Sequence, residues 1–276
     1  MPCDIRPLSN AFGCEVVGVD LKTASEAEME TIISALDEKL VLAIRHQELL
    51  PNELAAVARR FGNLAPQHMS DLMLAEETSI CELNSANAPV DKNGKPKLIG
   101  EGNWHVDHTN LEQPPKYTML YAKKLPTKGG DTGFANMQKA FASLPESEQQ
   151  KLIGLKSHNG LLSKPDHTSE RDLVKYGATK IHPFIRTHPV TGKKSIYCHP
   201  QKLAFIEGMT PKESQELILN LQARTINENT TYRHVWESGD LVIWDNRGVM
   251  HKAFYDYDHT EGRIMHRILI EGEIPV

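Results

Sequence analysis

The sequence predicts a mainly β fold with helices attached (α+β), a double-stranded β-helix, or jelly roll, with peripheral helices. Two observations predict it. From Trp104 onward, short runs of strand length alternate with turns rich in Gly and Pro. Helical periodicity is confined to the first sixty residues, one interrupted stretch in the middle and one late insertion. Short strands broken by turns, with helices at the start and one inserted late, suit two packed sheets with a space between them. The 276 residues are enough for one large domain with a buried core, and the chain is read as a single domain over 1–276.

In order along the chain, residues 12–21 alternate like a strand. Ser25 followed by Glu28 is a capping box that opens a helix to about Lys39, with Ile32, Ile33, Leu36 and Leu40 on its apolar side. Val41–Arg45 has the unbroken apolar character of a buried strand. A second helix runs from Asn52 to Phe61 and stops at Gly62. The poorly periodic stretch of about 65–100 is expected to be a flexible loop over a site, since long irregular segments within compact domains are usually functional. Strands follow at Tyr117–Lys123 and Asp131–Asn136, then a helix from Met137 to about Leu155, interrupted near Pro145. His182–His188 and Ser195–His199 flank the turn Pro189-Val190-Thr191-Gly192-Lys193 as a hairpin. Pro211–Thr225 is an amphipathic helix with Leu217, Leu219 and Leu221 along it. Strands at Tyr232–Trp236, Leu241–Trp244, His251–Tyr255 and Arg263–Glu271 complete the chain.

The net charge of -5, with both signs interspersed, argues against nucleic acid as a partner. No run is long enough to span a membrane, and the N-terminus lacks the apolar core of a signal peptide. Cys3, Cys14, Cys81 and Cys198 have neither metal-type nor disulfide-type spacing, so a cytoplasmic location is expected.

His105-Val106-Asp107 is the most informative triplet. On a strand, alternation would put both side chains on one face. A third ligand from a distant strand, His251, would give two imidazoles and a carboxylate around one metal, the set used by non-haem Fe(II) oxygenases. By itself the triplet is also compatible with an ordinary buried hydrogen-bonded pair.

Trp104-His105-Val106-Asp107, Gly129-Gly130-Asp131-Thr132, Arg186-Thr187-His188-Pro189 with Gly192-Lys193, Trp244-Asp245-Asn246-Arg247 with His251, and Arg263-Ile264-Met265-His266-Arg267 occur in this order. Together they resemble the taurine / chlorophenoxyacetate dioxygenase family of Fe(II)- and 2-oxoglutarate-dependent oxygenases. The resemblance implies His105, Asp107 and His251 as iron ligands, and Thr132 and Arg263 as partners of the distal carboxylate of 2-oxoglutarate. Arg263 lies twelve residues after His251 (263 − 251), with one extra residue in the Tyr255–Gly262 stretch relative to the family spacing. Arg267 is implied to grip the acidic group of a small-molecule substrate. The family's substrate histidine directly after Phe-Gly-x-Leu is replaced in Phe61-Gly62-Asn63-Leu64-Ala65, and His68 is the nearest substitute. That departure counts against taurine, while Gln113–Leu120 and Ile206-Glu207-Gly208 look more like the aryloxyalkanoate branch. The implied activity consumes O2 and 2-oxoglutarate, releases succinate and CO2, and hydroxylates, in some cases thereby fragmenting, a carboxylate- or sulfonate-bearing substrate. The family also implies a homo-oligomer. Two rivals stand beside it, a zinc-dependent hydrolase on the same triad and a non-catalytic small-acid-binding jelly roll.

Overall fold

A computed structural model describes residues 3–67, 70–87, 100–161 and 170–276. The first strands are β1 (Asp4–Pro7) and β2 (Cys14–Val17), an antiparallel pair where the sequence suggested one strand over 12–21. α1 (Glu26–Lys39) opens on the expected capping box: Glu28 N donates to Ser25 Oγ at 3.3 Å and Ser25 N to Glu28 Oε2 at 2.8 Å. β3 (Val41–Ile44) and α2 (Pro51–Arg59) follow as expected. The stretch expected to be irregular contains a strand, β4 (Cys81–Asn84), which pairs with the last strand of the fold. Residues 68–69 and 88–99 of that stretch lie outside the described residues.

Next come β5 (Tyr117–Lys124), β6 (Thr132–Asn136), α3 (Met137–Ala142) and α4 (Glu146–Leu152), the two helices separated near Pro145. β7 (Lys156–Asn159), α5 (Glu170–Tyr176), β8 (Lys180–Pro183), β9 (Ile185–Thr187), β10 (Lys194–Ile196) and β11 (Leu203–Ile206) lead to α6 (Pro211–Thr225). α6 buries Ser214, Ile218, Leu221 and Thr225, so its inward stripe is shifted from the leucine row and Leu219 is exposed. The last strands are β12 (Thr231–His234), β13 (Leu241–Asp245), β14 (Val249–Ala253) and β15 (Ile264–Ile270).

Two sheets face each other and remain open at their edges. The larger has the order β1-β2-β3-β13-β5-β15-β4, and the smaller β12-β6-β14. Alternation along the central strands sorts side chains between two layers. Leu42, Ile44, Met119, Tyr121, Ile243, Ile268 and Ile270 pack under α1 and α2. Their neighbours Val41, Ala43, Leu120, Ala122, Val242, Trp244 and Met265 pack inward with Phe134 of the smaller sheet. β13 is covered on both faces, which is why its sequence is apolar without alternation. This is a jelly-roll arrangement, and Arg267, two residues beyond Met265 on β15, faces the same inner layer. Among the described residues no helix is long and apolar enough to cross a membrane.

Candidate metal centre

His251 sits on β14, and the segment before β5 runs beside it. His105 N donates to His251 O at 3.1 Å and His251 N to His105 O at 2.9 Å, an isolated antiparallel bridge. Directly opposed residues in such a pair put their side chains on one face, and the two imidazole centroids are 4.1 Å apart. The expectation of a strand through 105–107 is corrected here. Only His105 is paired, and the chain enters a turn at Asp107, with His108 at φ 50. The turn still returns the Asp107 carboxylate to the imidazoles. Oδ1 is 3.8 Å from His105 Nε2 and Oδ2 is 3.7 Å from His251 Nε2. One ligand atom from each of the three residues lies within 4.8 Å of the others, and all three residues are buried.

The surroundings orient these atoms. His105 Nδ1 is 2.9 Å from the Asn103 carbonyl, which can only accept, so Nδ1 carries the proton and the Nε2 lone pair faces Asp107. Thr118 donates to Asp107 Oδ2 at 2.7 Å, Asn246 Nδ2 to Thr118 Oγ1 at 2.8 Å, and Trp244 Nε1 to Asn246 Oδ1 at 3.1 Å. Trp244 and Asn246 thus steer the carboxylate through Thr118, which stands opposite Trp244 in the β13–β5 register. Sequence reasoning passed over Thr118. Its signal was a hydroxyl within the apolar strand Tyr117–Leu120, where a buried polar group needs a partner.

Burial dominates the electrostatics. It brings His251 down to about 3 and lowers His105 as well, so both imidazoles are neutral near pH 7. Burial opposes ionisation of Asp107, but the flanking imidazoles, Arg267 and the Thr118 hydroxyl outweigh it and hold the carboxyl well below its ordinary range. Two neutral nitrogens and one carboxylate, already in their binding forms, fit a divalent iron with positions left for other ligands.

Arg263 precedes β15 and is buried. Its Nε donates to Gly130 O at 2.9 Å, and among the described residues it has no carboxylate within ion-pair distance. The double glycine makes this approach possible. Gly129 has φ +77 and a Cβ there would meet Asp256 O at 2.4 Å; Gly130 has φ +74 and its Cβ would press on Arg263 Cδ at 3.2 Å. Burial lowers the basicity of Arg263, as expected for a cation without a counter-ion. Thr132, two residues beyond the turn, accepts from Trp236 Nε1 at 3.1 Å, which leaves its own hydroxyl proton to donate elsewhere. Arg267 donates from an NH2 nitrogen to Gln67 Oε1 at 3.0 Å, while its buried Nε has no hydrogen-bond partner among the described residues. His266 points the other way, 3.5 Å from Glu82 across β4. The candidate His68 lies outside the described residues. His199 is buried with its ring centroid 4.9 Å from that of His105.

A profile of taurine catabolism dioxygenases, the TauD, TfdA family, matches residues 4–269. The chain belongs to the TauD/TfdA family. It is 31% identical over 281 residues to an (S)-phenoxypropionate/alpha-ketoglutarate-dioxygenase of Sphingobium herbicidovorans, covering 98% of this chain and 95% of that protein. It is 30% identical to an alpha-ketoglutarate-dependent sulfate ester dioxygenase of Pseudomonas putida, covering 99% and 91%. The solved structure of AAD-2 with Mn(II) and N-oxalylglycine superposes with a TM-score of 0.81 at 25% identity, covering 100% of this chain and 99% of that one. The TauD/TfdA protein is an oxidoreductase, a dioxygenase of the class that uses Fe(II), 2-oxoglutarate and O2.

Proposed function

We propose that His105, Asp107 and His251 hold the Fe(II), that Thr132 and Arg263 hold the distal carboxylate of 2-oxoglutarate, and that Arg267 receives the anionic group of a small carboxylate- or sulfonate-bearing substrate. The substrate is hydroxylated with release of succinate and CO2, and the product fragments where the hydroxylated carbon bears a heteroatom. Iron and 2-oxoglutarate supply the oxidising power when bound. The residues supply position, charge and a dry setting. Asp107 is kept ionised and aimed by Thr118, and His105 is kept in one tautomer by Asn103. Thr132 has a free proton and Arg263 an unneutralised fork, the two donors that a carboxylate end needs.

The observation that carries this reading is the pairing of an inward-facing His–Asp–His set with a buried Arg263 that, among the described residues, has no carboxylate within ion-pair distance. A zinc hydrolase has no use for that arginine. Anaerobic protein with Fe(II) should gain a weak visible charge-transfer band when 2-oxoglutarate is added, and Asp107→Ala should not. No band in the wild type would overturn the assignment. Screening carboxylates, sulfonates and sulfate esters for stimulated succinate formation then narrows the substrate. The scattered cysteines support work in a reducing compartment, the cytoplasm, as a single domain over 1–276. Family resemblance supports a homo-oligomer, which light scattering during gel filtration tests.

A further inference from the structure

The assignment above makes no use of α6. Its buried Ile218 and Leu221 belong to one apolar cluster with Val106 and Met250, chain neighbours of the ligand candidates. Half-buried Gln222 adds a polar tie to that contact. Its Nε2 donates to Trp104 O at 3.2 Å and to Met250 Sδ at 3.3 Å. A carbonyl and a thioether can only accept, so the amide nitrogen, with two protons, is the end that faces them. Trp104 and Met250 directly precede His105 and His251. One side chain therefore touches both segments that carry the imidazoles. Gln215, seven residues earlier on the same face of α6 (222 − 215), fastens the adjacent turn. Its Nε2 donates to Pro200 O at 2.7 Å and Leu203 O at 3.2 Å, just after His199, whose ring stands against His105.

The backbone shows why this tie matters. His105 gives both its N–H and its C=O to His251. Backbone groups alternate in direction along an extended segment, so the Trp104 carbonyl points away from β14. Among the described residues no backbone donor meets it. The next bond between the two segments, from Ala253 N to Glu101 O at 2.9 Å, lies four residues before His105 (105 − 101). A segment joined at one isolated pair is free to pivot about it unless held from a second direction, and Gln222 supplies that direction.

We propose that Gln222 is a positioning residue for the metal centre, fixing the separation of the His105 and His251 imidazoles before a metal arrives. The inference rests on the reading of His105, Asp107 and His251 as metal ligands. Two nitrogens already held at their binding separation take a divalent ion without moving the backbone, so the tie registers as metal affinity and as ligand arrangement. A merely structural glutamine would register in stability alone.

The test titrates metal-free protein with Mn(II) by calorimetry and records the visible spectrum of bound Co(II), whose bands report how the ligands are arranged. Gln222→Met keeps the length and helix propensity of the side chain but removes both N–H groups. It should weaken Mn(II) about three- to tenfold, the range of one neutral hydrogen bond, and should shift the Co(II) bands. Gln222→Glu turns an ionised acceptor toward two acceptors and should weaken Mn(II) by at least as much. Ser214→Ala is the control on the same helix. It removes a hydroxyl that accepts from Ile206 N and donates to Thr210 O, both at 2.8 Å. That variant should melt at a lower temperature while its Mn(II) affinity and Co(II) spectrum stay as in wild type. The proposal is overturned if Gln222→Met binds Mn(II) as tightly as wild type, if its Co(II) bands do not move, or if Ser214→Ala reproduces both changes. In each of those cases the ligand assignment stands, because the wild type binds. If the wild type itself binds neither metal, the ligand assignment falls and this inference with it.

Discussion

His105, Asp107 and His251 on one side, and Asp37, His188 and Asp245 on the other, each bring three ligand atoms within 4.8 Å of one another. In the second cluster an arginine has already taken the carboxylates. Arg247 Nε and backbone N both donate to Asp245 Oδ1 at 2.8 Å, its NH2 nitrogen reaches Asp245 Oδ2 at 2.6 Å and Asp37 Oδ1 at 2.5 Å, and His188 Nε2 is 2.9 Å from Asp245 Oδ2. Tyr117 adds a further bond to Asp37 at 2.7 Å. In the first cluster, among the described residues, Asp107 accepts a side-chain hydrogen bond from Thr118 alone, at 2.7 Å. The residue types are alike. What separates a candidate metal centre from a structural knot is whether the chain itself supplies the cation.

That contrast can be broken at several points. The largest effect is expected at the open cluster. His105→Ala, Asp107→Ala or His251→Ala should reduce substrate-coupled succinate formation to background while far-UV circular dichroism and melting stay close to wild type, because a jelly roll folds without metal. Normal turnover in any one of them would remove that residue from the site. At the closed cluster the signature reverses. Arg247→Ala should destabilise the fold by about 3–5 kcal/mol in urea titrations, since it strands two buried carboxylates. A loss below about 1 kcal/mol, the value of an exposed pair, would mean that water reaches them. Arg263→Ala should weaken 2-oxoglutarate by about 2–5 kcal/mol, roughly thirty- to several-thousand-fold in apparent affinity. An unchanged Michaelis constant would give that role to another arginine.

Acid should act on the closed cluster next. Burial opposes ionisation of Asp245, but Arg247 and His188 outweigh it and hold the carboxyl at about 2. Its folded value is depressed below the ordinary ~3.9, so its contribution is fully present above about pH 4 and is lost as pH falls through about 2. The stake is about 2–3 kcal/mol, and stability measured from pH 5 to 2 should fall less steeply in Arg247→Ala than in wild type. Parallel curves would assign acid sensitivity to other carboxylates. The smallest effect is expected for Thr118→Val, which keeps the volume but unties Asp107. Metal affinity should drop about ten- to a hundredfold in a Mn(II) titration, with the melting temperature nearly unchanged.

The parts of the fold that the sequence exposed are those whose signals are local. Ser25 and Glu28 sit three apart and define the start of α1 by themselves. β13 and β15 are long and apolar enough to be read directly. β1 and β4 were missed because Asp-Ile-Arg-Pro and Cys-Glu-Leu-Asn carry little apolar content and exist as strands only through pairing with distant partners. In the site, residue types and order brought out the three ligand candidates and both arginines, but the strand argument for His105 and Asp107 described the wrong backbone. Thr118 was invisible because its importance lies in what it faces, and facing is set by register.

β5 is flanked by β13 on one side and β15 on the other. During synthesis it therefore leaves the ribosome with both edges unsatisfied, and its partners arrive more than a hundred residues later. At ~5–20 residues per second, the 117 residues from the end of β5 at Lys124 to the start of β13 at Leu241 (241 − 124) take roughly 6–23 s to emerge. For that interval an apolar strand with free backbone groups is available to any other nascent chain. A message cut short before β13 would yield a product that aggregates, whatever the integrity of its first half. This protein's dependence on chaperones should be set by its last forty residues.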